Sequence, residues 1–227
     1  MKVSIIIPVY NEEETIRELI SRVFLAPCPT EKEVIVINDA STDNTEKALE
    51  KSKFKNDLLL VRHEKNQGKG AAIKTGLEYA TGDFILIQDA DLEYDPRDYP
   101  ALLKPLLKDE TDIVYGSRNL KKNPRSSASF YWGGRFLTFV LNILFGVKLT
   151  DVNTCYKVFK KDVLKNIKLE ETRFAFCEEV TCKTLKKKYK IKEVPINYYP
   201  RTSREGKKIN WKDGLWGAWV ILKQRLF

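Results

Sequence analysis

Apolar and polar residues alternate in blocks along this chain, and the period within each block predicts an element. Lys2 to Pro8 is an almost continuous apolar run, the pattern of a strand buried on both faces. Proline ends it, Val9 to Glu12 turns, and Thr15 to Phe24 sets Ile16, Leu19, Ile20 and Val23 on one helical face. Glu33 to Ile37 is a second apolar strand closing on Asn38 and Asp39. Asp43, with Glu46 three residues later, resembles a capping box opening the next helix. Leu58 to Val61 reads as a third strand, and Asn66 to Gly70 leads into a helix that runs through Tyr79 to Thr81-Gly82. Phe84 to Ile87 is wholly apolar and stops abruptly at Asp89-Ala90-Asp91. A helix over Tyr99 to Leu107 and a strand over Asp112 to Tyr115 follow, ending at Gly116-Ser117-Arg118.

Beyond Arg118 the rhythm changes. Lys121 to Ser129 is a polar, basic loop, and Phe130 to Leu149 is strongly apolar apart from Gly133-Gly134-Arg135. A strand over Thr154 to Phe159, a helix over Phe176 to Lys188 and a strand over Ile191 to Tyr199 are expected. Pro200 to Lys208 is a basic loop, and Trp211 to Phe227 an amphipathic helix. Strands and helices in alternation with short turns argue an α/β fold: a mostly parallel, Rossmann-like sheet flanked by helices, with C-terminal amphipathic helices. The 227 residues suit one domain, with residues 1–118 and 119–227 as its two halves and no linker between them.

Composition changes this picture in two ways. Four cysteines lacking close ligand pairing and a single histidine, His63, argue against structural zinc and for free thiols in a reducing compartment. Charge is split: residues 1–117 hold 15 Lys+Arg against 22 Asp+Glu, and residues 118–227 hold 25 against 9. An acidic half able to hold a cation therefore precedes a basic half able to meet phosphate or an anionic surface. The N-terminus enters a strand directly, so no cleavable leader is expected, and no apolar run reaches the roughly 18–20 residues of a membrane span.

The candidate chemistry lies at the strand ends. Asp89 and Asp91 are two apart on an extended chain and point the same way, at the sheet edge where open α/β folds bind ligands. Paired carboxylates there suit Mg²⁺ or Mn²⁺, with Glu93 as a third candidate ligand. Asp39 ends the second strand on the same edge. Gly68-Lys69-Gly70 is neither a Walker A loop nor a GxGxxG fingerprint, which leaves a helix start or a backbone lying against a nucleotide.

Ile-Ile-Pro-Val-Tyr-Asn-Glu12, Val-Ile-Asn-Asp-Ala-Ser-Thr-Asp43, Asn-Gln-Gly-Lys-Gly70, Gln-Asp-Ala-Asp-Leu-Glu93 and Tyr-Gly-Ser-Arg118 occur in this order. Together they resemble the inverting glycosyltransferases of family 2, with the GT-A fold, and within them the dolichyl- or polyprenyl-phosphate sugar synthases. The resemblance implies that Pro8, Tyr10, Glu12, Ile37 and Asp39 hold the nucleoside. It implies that Asp89, Ala90 and Asp91 meet the diphosphate and its cation, with Arg118, Arg201 and Lys207 beside them and Lys69 nearby. Arg135 and Glu179 fall on the acceptor side. The sequence departs from the family pattern at Asn38, where an aspartate is usual, at Cys177, where a glutamate is usual, and at Glu93, where glutamine is common.

The expected reaction transfers a sugar from a nucleotide-sugar, of GDP-mannose or UDP-glucose type, to a dolichyl or polyprenyl phosphate at the cytoplasmic membrane face. Asp91 and Arg118 would stabilise the departing diphosphate, and Asp151 could act as base toward a hydroxyl. A soluble or glycan hydroxyl acceptor is the alternative. A nucleic-acid-binding module would leave Asp39, Asp89 and Asp91 unexplained, so no nucleic-acid partner is expected. Phe136 to Phe145 is either a core helix or one lying in the plane of an anionic membrane, with Trp211, Leu215, Trp216, Trp219 and Leu222 as a second contact. Residues 201–208 are expected to act as a lid over the donor.

Overall fold

Seven strands form one sheet in the order β3-β2-β1-β4-β6-β5-β7. The computed structural model describes residues 1–125, 127–201 and 211–227. Lys207 and the expected lid, except Arg201, lie outside the described residues. The strands are β1 (Lys2–Val9), β2 (Glu31–Asn38), β3 (Leu58–Arg62), β4 (Phe84–Ile87), β5 (Ile113–Ser117), β6 (Lys157–Lys160) and β7 (Ile191–Pro195). All pairings are parallel except the two made by β6, which runs antiparallel between β4 and β5.

This order concentrates chain ends. The chain runs outward from β1 through β2 to β3, then returns to place β4 on the other side of β1. The resulting switch point lies at the C-terminal ends of β1 and β4, where a crevice forms. Because β6 alone is reversed, the segment entering it comes to the same edge as the ends of β5 and β7. Residues 8–12, 38–39, 88–93, 117–118, 151–155 and 196–201 therefore share one rim.

The helices are α1 (Ile16–Leu25), α2 (Thr45–Glu50), α3 (Lys69–Tyr79), α4 (Tyr99–Leu107), α5 (Ala128–Phe145), α6 (Lys161–Lys165), α7 (Phe176–Lys186) and α8 (Trp211–Leu226). Ile16, Leu19, Ile20 and Val23 of α1 are fully buried against the sheet, as their spacing requires. Gly76 lets α3 approach closely: a Cβ there would stand 2.5 Å from Cγ2 of Ile6 on β1. A second, smaller core of Leu137, Leu141, Val152, Cys182 and Ile221 joins α5, α7 and α8.

Several boundaries differ from expectation for local reasons. α2 starts at Thr45 with no side-chain cap. Asp43 instead accepts from the Thr45 amide at 3.0 Å and the Glu13 amide at 3.2 Å, tying the β2–α2 turn to the β1–α1 turn. α5 ends at Phe145 because Gly146 turns left-handed at φ 66°, and Asn142 bonds the returning Leu149. β6 begins at Lys157, later than expected, since Asp151 to Cys155 form the turn that serves the rim. β7 stops at Pro195, and the Tyr94–Tyr198 bridge draws the following residues toward β4.

Candidate active site

The acidic loop after β4 is the centre of the rim. Lys69 Nζ lies 2.5 Å from Asp89 Oδ1 and 3.5 Å from the Cys155 thiol. Burial alone would lower the Lys69 pKa, but the Asp89 carboxylate drives it well above its usual value. Lys69 is thus the fixed counter-charge of Asp89. Asp91 is in a different position. Burial, then Asp89 and Glu93, push its carboxyl up to about 7, so the fold holds it near acidic neighbours with too little positive charge.

That deficit tests the fit to a divalent cation. Among the described residues no three His, Cys, Asp or Glu side chains are arranged to hold a metal by themselves. Asp89 and Asp91 suit Mg²⁺ or Mn²⁺, hard ions that keep waters and borrow oxygens from a diphosphate. Glu93, the third expected ligand, is engaged by the segment after β7. Its Oε2 accepts from the Tyr198 hydroxyl at 2.9 Å and its Oε1 from the Arg201 amide at 2.6 Å.

Arg201 lies on the rim beside the acidic loop. Its Nε donates to the Asp91 carbonyl and its Nη2 to Glu12 Oε2, each at 2.7 Å. Thr15 Oγ1 donates to Glu12 at 2.8 Å and lies 2.9 Å from the Ala90 carbonyl oxygen. Pro8 and Tyr10 are half-buried beside them, while Ile37 is wholly buried in β2 and supports the rim from beneath.

Asp39 proves to be a brace. It is 2% exposed and accepts from the Gln67 amide at 2.9 Å and the Gly68 amide at 2.8 Å. His63 Nδ1 lies 2.6 Å from Asp39 Oδ1, and its Nε2 2.9 Å from Thr75. This holds Gly68 at φ 96°, where a Cβ would collide with the Thr172 carbonyl, and so launches Lys69 toward Asp89. The sequence offered no sign of the His63 contact beyond its being the only histidine.

Arg118 and Asp151 form a fork at the end of β5, with Nε and Nη2 each 2.7 Å from the carboxylate. Asp151 raises the Arg118 pKa well above its usual value despite burial. The guanidinium also lies 5.1 Å from the centre of the Tyr198 ring, within cation–π range. Arg135 is exposed on α5, and its Nη1 is 3.3 Å from the Thr150 carbonyl. The two arginines thus flank one turn. Glu193, which sequence reasoning missed, accepts the amides of Thr150 and Asp151 at 2.7 and 2.9 Å and fixes that turn from β7. Glu179 is buried in α7, not in this group: it accepts the amides of Glu170 and Glu171 and pairs with Lys183 at 2.7 Å.

A groove of about 870 Å³ runs between α1 and α2 past Glu13, Arg17 and Lys51. It contains none of the rim groups described above. Beside the rim, α5 exposes Trp132, Phe136, Phe139 and Ile143 as one stripe, and α8 exposes Trp211, Leu215, Trp219, Leu222 and Leu226 as another. Among the described residues no helix is long and apolar enough to cross a membrane.

The family model for glycosyl transferase family 2 matches residues 4–168. The chain is 34% identical over 215 residues to a dolichol-phosphate mannosyltransferase of Pyrococcus furiosus, covering 91% of this chain and 59% of that protein. It is 31% identical over 176 residues to a dodecaprenyl-phosphate galacturonate synthase of Rhizobium johnstonii, covering 74% and 51%. It is also 31% identical over 214 residues to a UDP-N-acetylglucosamine–dolichyl-phosphate N-acetylglucosaminyltransferase of Methanococcus voltae, covering 85% and 83%. The chain therefore spans only about half to three-fifths of the first two relatives. The fold is that of glucosyl-3-phosphoglycerate synthase from Mycobacterium tuberculosis, solved with Mn²⁺, UDP and phosphoglyceric acid: TM-score 0.77, 19% identity, 99% of this chain and 78% of that one.

Proposed function

The chain belongs to glycosyl transferase family 2, and on that premise we propose that it moves a sugar from a nucleotide-sugar donor to a dolichyl or polyprenyl phosphate. The relatives named for such lipid phosphates support the acceptor class, and residues 1–227 act in this reading as one catalytic unit. The observation that carries it is the convergence of Asp89 and Asp91 with Lys69, Arg201 and Arg118 on a single rim.

Displacement at the anomeric carbon forms a bond to an acceptor oxygen as the bond to the diphosphate breaks, with inversion. Negative charge grows on the leaving phosphates. A bound Mg²⁺ or Mn²⁺, held by Asp89 and Asp91, supplies Lewis-acid neutralisation of that charge. Lys69 keeps Asp89 in place, and the Arg201 guanidinium, beside the Asp91 carbonyl, adds fixed positive charge where the diphosphate departs. Arg118, aligned by Asp151, adds positive charge on the diphosphate side, and Arg135 faces the acceptor phosphate.

A phosphate acceptor is already ionised near neutral pH and needs no base. A hydroxyl acceptor does, and the nearest candidate, Asp151, is engaged by Arg118. This favours the lipid phosphate over the hydroxyl reading. The aromatic stripes of α5 and α8, on the basic half of the chain, suit the surface of an anionic membrane, with the acceptor drawn from the cytoplasmic leaflet. Calorimetry with GDP- and UDP-sugars, with and without Mn²⁺, tests the donor site. Cation-dependent binding lost in Asp91→Asn is expected; equal binding in that variant contradicts the assignment.

A further inference from the structure

We propose that Glu93 is a positioning residue that fastens the segment 198–201 to the donor crevice, and that it is not a ligand of the cation. The inference rests on the nucleotide-sugar reading above. Glu93 lies in the acidic loop after β4, two residues beyond Asp91, where spacing alone makes it a third carboxylate for a metal. Its hydrogen bonds point elsewhere: the Tyr198 hydroxyl at 2.9 Å and the Arg201 amide at 2.6 Å reach its two oxygens, and its own carbonyl accepts the Tyr199 amide at 2.9 Å.

Those bonds carry a geometric consequence. Tyr198 and Arg201 follow β7, on the far side of the sheet from β1. Held by Glu93, the Arg201 side chain crosses the rim to the Asp91 carbonyl and to Glu12 after β1, each at 2.7 Å. Glu12, residues 91–93 and residues 198–201 thus form a closed ring around the crevice mouth. The Tyr198 ring extends the ring toward β5, lying tilted 5.4 Å from Tyr94 and 5.1 Å from the Arg118 guanidinium. One carboxylate therefore sets the place of the Arg201 guanidinium over the donor and of an aromatic wall against Arg118. Burial and the adjacent Glu93 raise the Tyr198 phenol above its usual pKa, so it remains a donor to that carboxylate at any physiological pH. Charge-assisted bonds of this kind are shorter and stronger than neutral ones.

Two measurements on the full chain separate positioning from ligation. The first is Mn²⁺ affinity, read by electron paramagnetic resonance in the presence of saturating nucleoside diphosphate. Glu93→Gln and Glu93→Ala should leave it within about twofold of wild type, whereas Asp91→Asn should weaken it at least about tenfold, as loss of a true ligand requires. The second is amide exchange by NMR. Glu93→Ala should speed exchange at Arg201 by about tenfold or more while leaving Tyr199, bonded to the Glu93 carbonyl, little changed. Tyr198→Phe, which removes one bond and keeps the ring, should raise exchange at Arg201 less than Glu93→Ala does. Weakened Mn²⁺ binding in both Glu93 variants, or unaltered exchange at Arg201, overturns the proposal. If Asp91→Asn also leaves Mn²⁺ affinity intact, the cation reading of the site fails, while the exchange result still decides the role of Glu93.

Discussion

Arg118 grips Asp151 as a fork on a carboxylate: Nε to Oδ2 and Nη2 to Oδ1, both at 2.7 Å, with the Arg118 amide adding a third bond to Oδ2 at 3.0 Å. A carboxylate so engaged is a clamp on the guanidinium. Asp151→Ala strands a half-buried cation and should cost about 1–3 kcal/mol of stability in denaturant titrations. Asp151→Asn keeps the shape, and should slow transfer about 10- to 100-fold, the kinetic equivalent of one charge-assisted hydrogen bond. Its pH–rate profile should keep the acidic limb of the wild type. Loss of that limb would identify Asp151 as the base.

Gly70 stands where a Cβ would come 2.6 Å from the Glu171 carbonyl oxygen. Backbone cannot yield cheaply, so Gly70→Ala should push the 171–173 segment from the start of α3 and shift Lys69 off Asp89. We expect a stability loss of about 1–3 kcal/mol, with donor KM raised. Gly133→Ala, where no atom lies within 4 Å of the added methyl, is the control and should be neutral or slightly stabilising within α5.

These positions mark how far the sequence could be read. Apolar runs such as Phe84–Ile87 announced buried strands, because burial on both faces leaves no room for polar residues. Asp89 and Asp91 were legible because a strand end fixes where alternate side chains point. Arg118 and Asp151 were each singled out, but their pairing depends on β6 entering the sheet between β4 and β5, a long-range choice that no local pattern encodes. The hydrogen-bond partners of Glu93 were hidden for a related reason: they lie 105 and 108 residues away. His63 and Glu193 act entirely through other residues and left no trace in period or spacing.

Glu33 couples the two ends of the sheet's first crossing. Burial would raise its pKa, but hydrogen bonds from Lys2, Ser4 and Thr81 outweigh that and hold it at about 2. A carboxyl depressed in the fold contributes stability that is present above its unfolded value and lost as pH falls through the folded one. Glu33→Gln should therefore melt below wild type at pH 7, and the gap should close between about pH 4.5 and pH 2. A gap independent of pH would show that charge has no part in it.

Trp132, Phe136, Phe139 and Ile143 are each at least 60% exposed along one face of α5. If that stripe enters an anionic bilayer, Phe136→Ser should weaken liposome sedimentation about tenfold, with Phe139→Ser additive, since each ring withholds about 1.5–3 kcal/mol of apolar transfer. Melting temperatures should hold, because neither ring packs in a core. Salt should release the wild type only in part, as screening acts on the basic residues and not on the rings. Unchanged sedimentation in the double variant would remove α5 from the membrane contact.

The central claim is transfer to a lipid phosphate at a cation-dependent rim. The most direct measurement incubates the protein with labelled GDP- and UDP-sugars, Mg²⁺ or Mn²⁺, and a polyprenyl phosphate, and counts label in the extracted lipid. The account predicts labelled glycolipid from at least one donor, abolished by EDTA and by Asp91→Asn, and sharply reduced in Arg135→Ala while donor binding persists. Label appearing instead on a water-soluble hydroxyl acceptor, or undiminished lipid labelling in EDTA, would contradict it.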